Sequence, residues 1–218
     1  MGVDFYYMPL SPPCRSALLA AKAFGIKLDC KLLNLMAGEH MKPDFLAINP
    51  QHHIPTINDN GFILWESRAI IQYFANSSPN GEHLYPKEPG KRALVDQRMY
   101  FDLGTLYERF YQFAIPFMFG REPALNPEKK AKVEEALSLL DGFIEKSGGW
   151  VAGDKMTIAD FACVASVATI EVCSRTSFLF RGKRNNPNFN QHYNTLWGTT
   201  PVVLTVHLKI LESIRQFL

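Results

Sequence analysis

Tyr6-Tyr7-Met8-Pro9-Leu10-Ser11-Pro12-Pro13-Cys14-Arg15-Ser16 is the stretch on which the reading of this chain turns. Residues 3–8 are rich in aromatic and β-branched side chains and read as a strand. A proline-punctuated loop over residues 9–13 then leads into an apolar helix over residues 14–24, closed by Gly25. Ser11 is a favoured N-cap, and proline is favoured in the first turn because its missing N–H had no partner there anyway. A helix N-terminus offers unpaired amides and partial positive charge, so the negative atom of a ligand is expected near Ser11.

Outward from this stretch, residues 29–34 alternate polar and apolar side chains and read as a second strand. Residues 35–45 are polar, irregular and proline-containing. Residues 48–57 lead into a short strand, and Asp59-Asn60-Gly61 is a hairpin turn into Phe62-Ile63-Leu64-Trp65. Glu66-Ser67-Arg68 opens a helix over residues 69–75, with Ser67 as the expected N-cap. The order β-α-β then β-β-α is complete within 80 residues. Residues 77–90, with three prolines and two glycines, form the best linker in the chain.

Everything beyond reads as helical. Over residues 92–113, Leu94, Met99, Leu103, Leu106, Phe110 and Phe113 recur at helical spacing, and Pro116 is expected to break or bend that helix. Asn126-Pro127-Glu128 starts another helix, with Val133, Leu137, Leu140 and Ile144 on one face and Gly148-Gly149 at its end. Thr157-Ile158-Ala159-Asp160 resembles a capping box with Asp in place of Glu. The helix after it, residues 161–172, is apolar nearly all round and is expected to be the core of this part. Residues 185–190 read as a turn-rich connector and residues 202–218 as a weakly helical tail.

The bulk composition narrows the function classes. With 47% apolar and 20% charged residues the chain has an ordinary globular composition, and 218 residues suffice for one or two domains. A net charge of +2 without a basic run argues against a nucleic-acid surface. No apolar run approaches the ~20 residues a membrane span needs. The first residues do not resemble a signal peptide. Cys14, Cys30, Cys163 and Cys173 show neither a CxxC pair nor metal-ligand spacing, which fits reduced thiols in a cytoplasmic protein. The adjacent His52 and His53 are expected to point apart on a strand, against a metal site. No GxGxxG follows the first strand, which excludes a Rossmann dinucleotide site.

A small α/β unit with an Ile-Pro turn, a proline-rich linker and an all-helical second unit resembles a glutathione transferase. Asn49-Pro50-Gln51-His52-His53-Ile54-Pro55 and Trp65-Glu66-Ser67-Arg68-Ala69-Ile70 match the family's glutathione-site signatures. Tyr6-Tyr7 and Ser11-Pro12-Pro13-Cys14-Arg15 are similar to the insect delta-class N-terminus, and residues 154–160 match a motif of the helical domain. The match runs from residue 3 to about residue 172, then thins to Pro187-Asn188-Phe189 and Tyr193. One departure is Leu10, where delta-class proteins usually have Gly. The resemblance implies a thioredoxin-like α/β N-terminal domain, residues 1–80, that binds glutathione. A linker over residues 81–90 and an all-α acceptor-substrate domain, residues 91–218, would follow. It further implies a cytoplasmic homodimer, glutathione as co-substrate without a metal, and conjugation of hydrophobic electrophiles in detoxification. Peroxide reduction and dehydrochlorination would be variants of the same chemistry.

The chemistry such a site must perform can be sized. A thiol near the cysteine reference pKa is only about 3% thiolate at pH 7, and lowering that pKa by about two units requires about 2.7 kcal/mol. A hydroxyl hydrogen bond to a charged sulfur offers about 1.5–3 kcal/mol, and a helix N-terminus about 0.3–1 kcal/mol. Ser11 therefore supplies the right order of stabilisation without acting as a base, as an oxyanion hole does. The plainer reading makes Ser11 only an N-cap, and the two are compatible because a hydroxyl accepts from the Cys14 amide and still donates its proton. Tyr6 or Tyr7, at most one of which alternation turns toward the site, and Cys14 as a thiol nucleophile are the rivals.

For the rest of the ligand, Ser67 at a helix start suits the γ-glutamyl carboxylate, Glu66 the α-amine, and Arg68 either partner. Capping with solvated charges is the plainer reading of that trio. Ile54-Pro55 would present backbone to the cysteinyl unit if the bond is cis, and His52 and His40 would serve the glycyl carboxylate. The resemblance places Asp102 at the γ-glutamyl end. Tyr107, Phe110, Tyr111, Phe113, Phe117, Met118 and Phe119 are more than one core face holds, so some are expected to line an acceptor pocket. Tyr107 and Phe110 are the first choices the family pattern suggests, and Phe119 of the same cluster is a further candidate. Against the enzyme stand a non-catalytic binding protein for apolar ligands, favoured by Leu10 and the divergent tail, and a scaffold role, which is expected to have lost Ser11.

Overall fold

The computed structural model describes residues 2–175. The expected connector at 185–190, the tail at 202–218 and the residues Pro187, Asn188, Phe189 and Tyr193 lie outside the described residues. Four strands form one mixed sheet: β1 (Val3–Tyr7), β2 (Leu28–Leu32), β3 (Thr56–Asp59) and β4 (Phe62–Trp65), in the order β2-β1-β3-β4. β1 pairs parallel with β2 and antiparallel with β3, and β3 pairs antiparallel with β4. Parallel pairing of β1 and β2 demands a crossover, which α1 (Pro12–Ala23) supplies. The tight β3–β4 connection is the Asn60-Gly61 turn, with φ of 51° and 95°, the left-handed pair such a turn requires.

Several expected boundaries move. The second strand begins at Leu28 and ends at Leu32, because Asn34 turns the chain: its Oδ1 accepts from the Met36 and Ala37 amides. The irregular stretch contains two short 3₁₀ turns and a helix, α2 (Pro43–Ile48), which Pro43 starts. α3 (Ser67–Ser77) places Ser67 inside its first turn; Glu66, not Ser67, is the N-cap residue and makes no side-chain cap bond. In the linker, Glu88 caps α4 (Pro89–Phe101) by accepting from the Gly90 and Lys91 amides, so the helix starts before residue 92.

The long helix is not uniform. α4 passes through a π-helical turn (Asp102–Tyr107) into α5 (Glu108–Met118). Pro116 does not end α5, which runs two residues further and stops before Gly120 at φ 70°. The buried stripe runs Val95, Met99, Asp102, Leu106, Phe110 and Phe113, so the expected Leu103 position is taken by Asp102 and Leu103 turns outward. α6 (Pro127–Lys146) is capped by Asn126, whose Oδ1 accepts from the Glu128 and Lys129 amides.

α7 (Ile158–Arg175) packs against α1, α3 and α4, and its side chains from Ile158 to Val167 are all buried. At its start Asp160 reaches back as the third residue of a capping box does: Oδ2 accepts from the Thr157 amide and hydroxyl, and Oδ1 from the Val151 amide. The Thr157 hydroxyl thus donates to Asp160 instead of capping the helix. The result is a thioredoxin-like N-terminal domain joined to a helical C-terminal domain through α7. Phe5, Ile57, Ile70 and Phe74 of the first domain and Met99, Leu106, Leu137 and Phe161 of the second are buried in one continuous apolar core.

Candidate active site

Ser11 sits on the wall of a cavity of about 590 Å³ between the end of β1 and the face of α5. It is the N-cap of α1, with φ −75° and ψ 119°, and its Oγ accepts from the Cys14 amide at 3.4 Å. In that bond the hydroxyl oxygen is the acceptor, so the group still has its own proton to donate. Neither Tyr6 nor Tyr7 is on the cavity wall: Tyr7 packs on Phe5 and Tyr6 on Phe45, on opposite sides of the strand. Cys14 is fully buried, and burial pushes its thiol up to about 11, a shift its hydrogen bond to Ser11 only partly offsets. It therefore holds its proton at neutral pH and is no nucleophile.

Next to Ser11 the floor is a polar loop. Asn49, fully buried, organises it: Nδ2 donates to His53 O at 3.1 Å and to Thr56 Oγ1 at 2.9 Å, while Oδ1 accepts from the Gln51 amide. The loop carries His52, His53, Ile54 and Pro55 onto the cavity wall, and the Ile54-Pro55 bond is cis. His52 and His53 do not point apart. They lie outside any strand, their rings meet edge-on at 5.5 Å between centroids, and His52 lies 6.1 Å from His40. His40 also lines the cavity, and its Nδ1 is buried without a partner among the described residues. Among the described residues no group of three or more His, Cys, Asp or Glu side chains is placed to hold a metal ion.

Glu66, Ser67 and Arg68 line the adjoining wall. Glu66 adopts φ 69°, a conformation that costs a non-glycine residue about 1–3 kcal/mol and that recurs at functional sites. His52, at φ 47°, is a second such residue on the same wall. Ser67 is buried at the N-terminus of α3, and its Oγ accepts from Arg68 Nη1 at 2.9 Å. Arg68 Nε donates to Asp102 Oδ2 at 3.0 Å, and Nη2 makes a second, short bond to the same oxygen. Asp102 is wholly buried and is not on the cavity wall; it reaches the site through Arg68, across the two domains.

The opposite wall is apolar. Leu103, Tyr107, Tyr111, Ile115 and Phe119, spaced four apart, all face the cavity. The Arg68 guanidinium lies 5.4 Å from the Tyr107 ring centroid, and burial pushes the Tyr107 hydroxyl up to about 12. Phe110, expected on this wall, is instead 3% exposed within the helical core, because it lies on the neighbouring buried stripe with Leu106 and Phe113 and not on that four-residue row. Tyr111, one of the aromatic cluster from which pocket residues were expected, lines the cavity, and Leu103, Ile115, His53 and Arg121 do so without having been proposed for it from the sequence. The spacing of four from Tyr107 was the signal that identifies Leu103 and Ile115.

Comparison with known proteins identifies the family of the fold that carries this site. Residues 5–82 match a family model described as the glutathione S-transferase N-terminal domain, and residues 106–197 the C-terminal domain of the same family. A delta-class glutathione transferase of Nilaparvata lugens is 43% identical, covering 97% of this chain and 99% of its own, with a TM-score of 0.76. A Bombyx mori glutathione transferase is 37% identical over 96% and 98% of the two chains, also at 0.76. A glutathione transferase homologue of Drosophila mojavensis, solved with bound glutathione, is 25% identical over 97% of each chain, at 0.75. The chain therefore belongs to the glutathione S-transferase family, with insect delta-class members among its relatives.

Proposed function

We propose that this cavity binds glutathione and that the Ser11 hydroxyl stabilises its thiolate for attack on hydrophobic electrophiles. One observation carries the reading: Ser11 caps α1 at the junction of a polar floor and an apolar wall, where a thiolate would meet an apolar acceptor. The thiol proton leaves to solvent, the hydroxyl proton points at sulfur, and the α1 N-terminus adds partial positive charge. The sulfur then forms a bond to the electrophilic carbon as the leaving group departs with its electron pair. Peroxide reduction and dehydrochlorination draw on the same thiolate.

The remaining side chains match glutathione by charge. The first amides of α3 and Ser67 suit the γ-glutamyl carboxylate, and Glu66 suits the α-amine. Asp102 fixes the orientation of Arg68 so that its charge is held at this end. Ile54 presents backbone to the cysteinyl unit. His52 and the unpartnered Nδ1 of His40 suit the glycyl carboxylate, and that orphan atom is the structural support for a ligand acceptor there. Tyr107 and Phe119, with Leu103, Tyr111 and Ile115, hold the acceptor. Residues 1–80 thereby form the glutathione-binding part, 81–90 the linker and 91–218 the acceptor part. The same reading makes the protein a cytoplasmic homodimer that acts in detoxification, in keeping with four cysteines that are thiols and not disulfides. A monomeric elution size would remove the dimer.

Ultraviolet difference spectra of bound glutathione across pH, for wild type and Ser11→Ala, test the mechanism. The expected result is a thiolate band persisting well below the free thiol's pKa and lost in the variant. Glutathione that binds but stays protonated in wild type would replace the enzyme with a ligand-binding protein.

A further inference from the structure

Arg15 lies one helical turn beyond Ser11, and its amide donates to the Ser11 carbonyl at 3.1 Å. Its side chain runs back along the loop: Nη1 donates to Leu10 O at 3.0 Å and to Pro9 O at 3.3 Å. Nη2 crosses to the helical domain, where it donates to Ala165 O at 3.2 Å and makes a short bond to Thr169 Oγ1. Thr169 Oγ1 in turn donates to Ala165 O at 2.8 Å, which fixes the hydroxyl oxygen as the acceptor for Arg15. One planar fork thus joins two carbonyls of the serine loop to two oxygens of α7, some 150 residues away in sequence.

All four acceptors are neutral, and no carboxylate among the described residues pairs with this half-buried guanidinium. An arrangement meant only to neutralise charge would present a carboxylate. What the fork does is hold backbone. The loop has few other ties: Leu10 is 64% exposed, so no hydrophobic anchor holds it, and the turn is closed by a single bond from the Ser11 amide to Met8 O at 3.0 Å. The direction of a serine hydroxyl follows the backbone that carries it, and a misplacement of about 1 Å in such a group can cost about a hundredfold in rate.

We propose that Arg15 is a positioning residue for the thiolate step: its guanidinium clamps the Pro9-Leu10 carbonyls to α7, so that the helical domain sets the aim of the Ser11 hydroxyl. The proposal rests on the role of Ser11 given above.

The test compares full-length wild type with Arg15→Lys, Arg15→Ala and Thr169→Val. It reads the pH midpoint of the thiolate band of bound glutathione, kcat and KM, and thermal unfolding. Arg15→Lys keeps the charge but loses the fork; it is expected to lower kcat about tenfold with the glutathione KM within about threefold. Its thiolate midpoint is expected to rise by about one pH unit, the same tenfold change expressed as about 1.4 kcal/mol. Thr169→Val removes one acceptor and is expected to move both readouts the same way by about threefold. If Arg15→Ala does not fold, these two milder variants decide. A purely structural clamp would lower the unfolding temperature but leave the midpoint and kcat of the folded variants unchanged, which overturns the proposal alone. A wild type whose bound glutathione shows no thiolate band overturns the Ser11 reading and, with it, the clamp.

Discussion

Arg68 delivers both its Nε and one Nη to a single oxygen of Asp102, Oδ2, while Oδ1 of the same carboxylate stays buried without a partner among the described residues. The pair joins the first turn of α3 to the π-helical turn of the other domain, and Arg68 is only 6% exposed. Removing one member of a buried pair leaves the other charge uncompensated, at about 3–5 kcal/mol. Asp102→Asn is therefore expected to lose that order of stability in urea unfolding. It should also raise the KM for glutathione, because Arg68 is no longer held at the cavity wall. A variant as stable as wild type, with an unchanged KM, would show that the pair holds neither the domains nor the site.

Phe110 and Phe119, both expected from the sequence in the acceptor pocket, separate in space. Phe110 is buried in the core, whereas Phe119 is 53% exposed on the cavity wall. Phe110→Ala is expected to cost about 3–5 kcal/mol of stability, as large core truncations do. Phe119→Ala should leave stability within about 0.5 kcal/mol, as surface changes do, and raise the KM for an apolar acceptor without changing that for glutathione. Chemical unfolding together with two-substrate kinetics distinguishes the two outcomes.

Asp160 sits at the start of α7 with no exposure, and burial pushes its carboxyl up to about 6 despite the bonds from Val151 and Thr157 that favour its charged form. A folded-state pKa above the unfolded value of 3.8 means that the native state binds the proton more tightly. This group's contribution is thus most favourable below about pH 4 and is lost as pH rises to about 6, by on the order of 3 kcal/mol. Asp160→Asn removes that titration. The stability difference between wild type and variant is expected to shrink across pH 4–6, and a difference constant over that window would refute the assignment.

Cys14, Cys163 and Cys173 are buried, and burial raises all three thiols, Cys14 to about 11 and Cys173 to about 12. Cys30, on β2, is exposed. Alkylation of the native protein at pH 8 is expected to label Cys30 and spare the others, because reaction requires an accessible thiolate. Cys14→Ala should retain the thiolate band of bound glutathione. Loss of that band would return Cys14 to the chemistry.

Much of the fold was legible because many of its signals act within a few residues. Ser11 before two prolines, Asn60-Gly61 between apolar runs, and Asn126 before Pro127 each satisfy or relieve a backbone group next to them, and each does so in the structure. Glu66, Ser67 and Arg68 were likewise placed at one helix start by local sequence, although the cap fell on Glu66. The short helix α2 went unread because six residues are too few to show a period.

What the sequence by itself determined was therefore the order of elements, the helix starts and the serine at the mouth of α1. The tertiary structure alone decided what faced inside along residues 102–119 and in the histidine loop. Asp102 displaced Leu103 from the buried stripe because its partner, Arg68, approaches from another domain, and that frees Leu103 for the cavity. His52 and His53 converge because the buried Asn49 folds their loop, and Arg15 finds its acceptors on a helix some 150 residues away. Caps and turns depend on groups within about four residues of one another, so a sequence states them directly. Burial and ion pairing depend on what packs from elsewhere, and only the assembled fold brings those partners together.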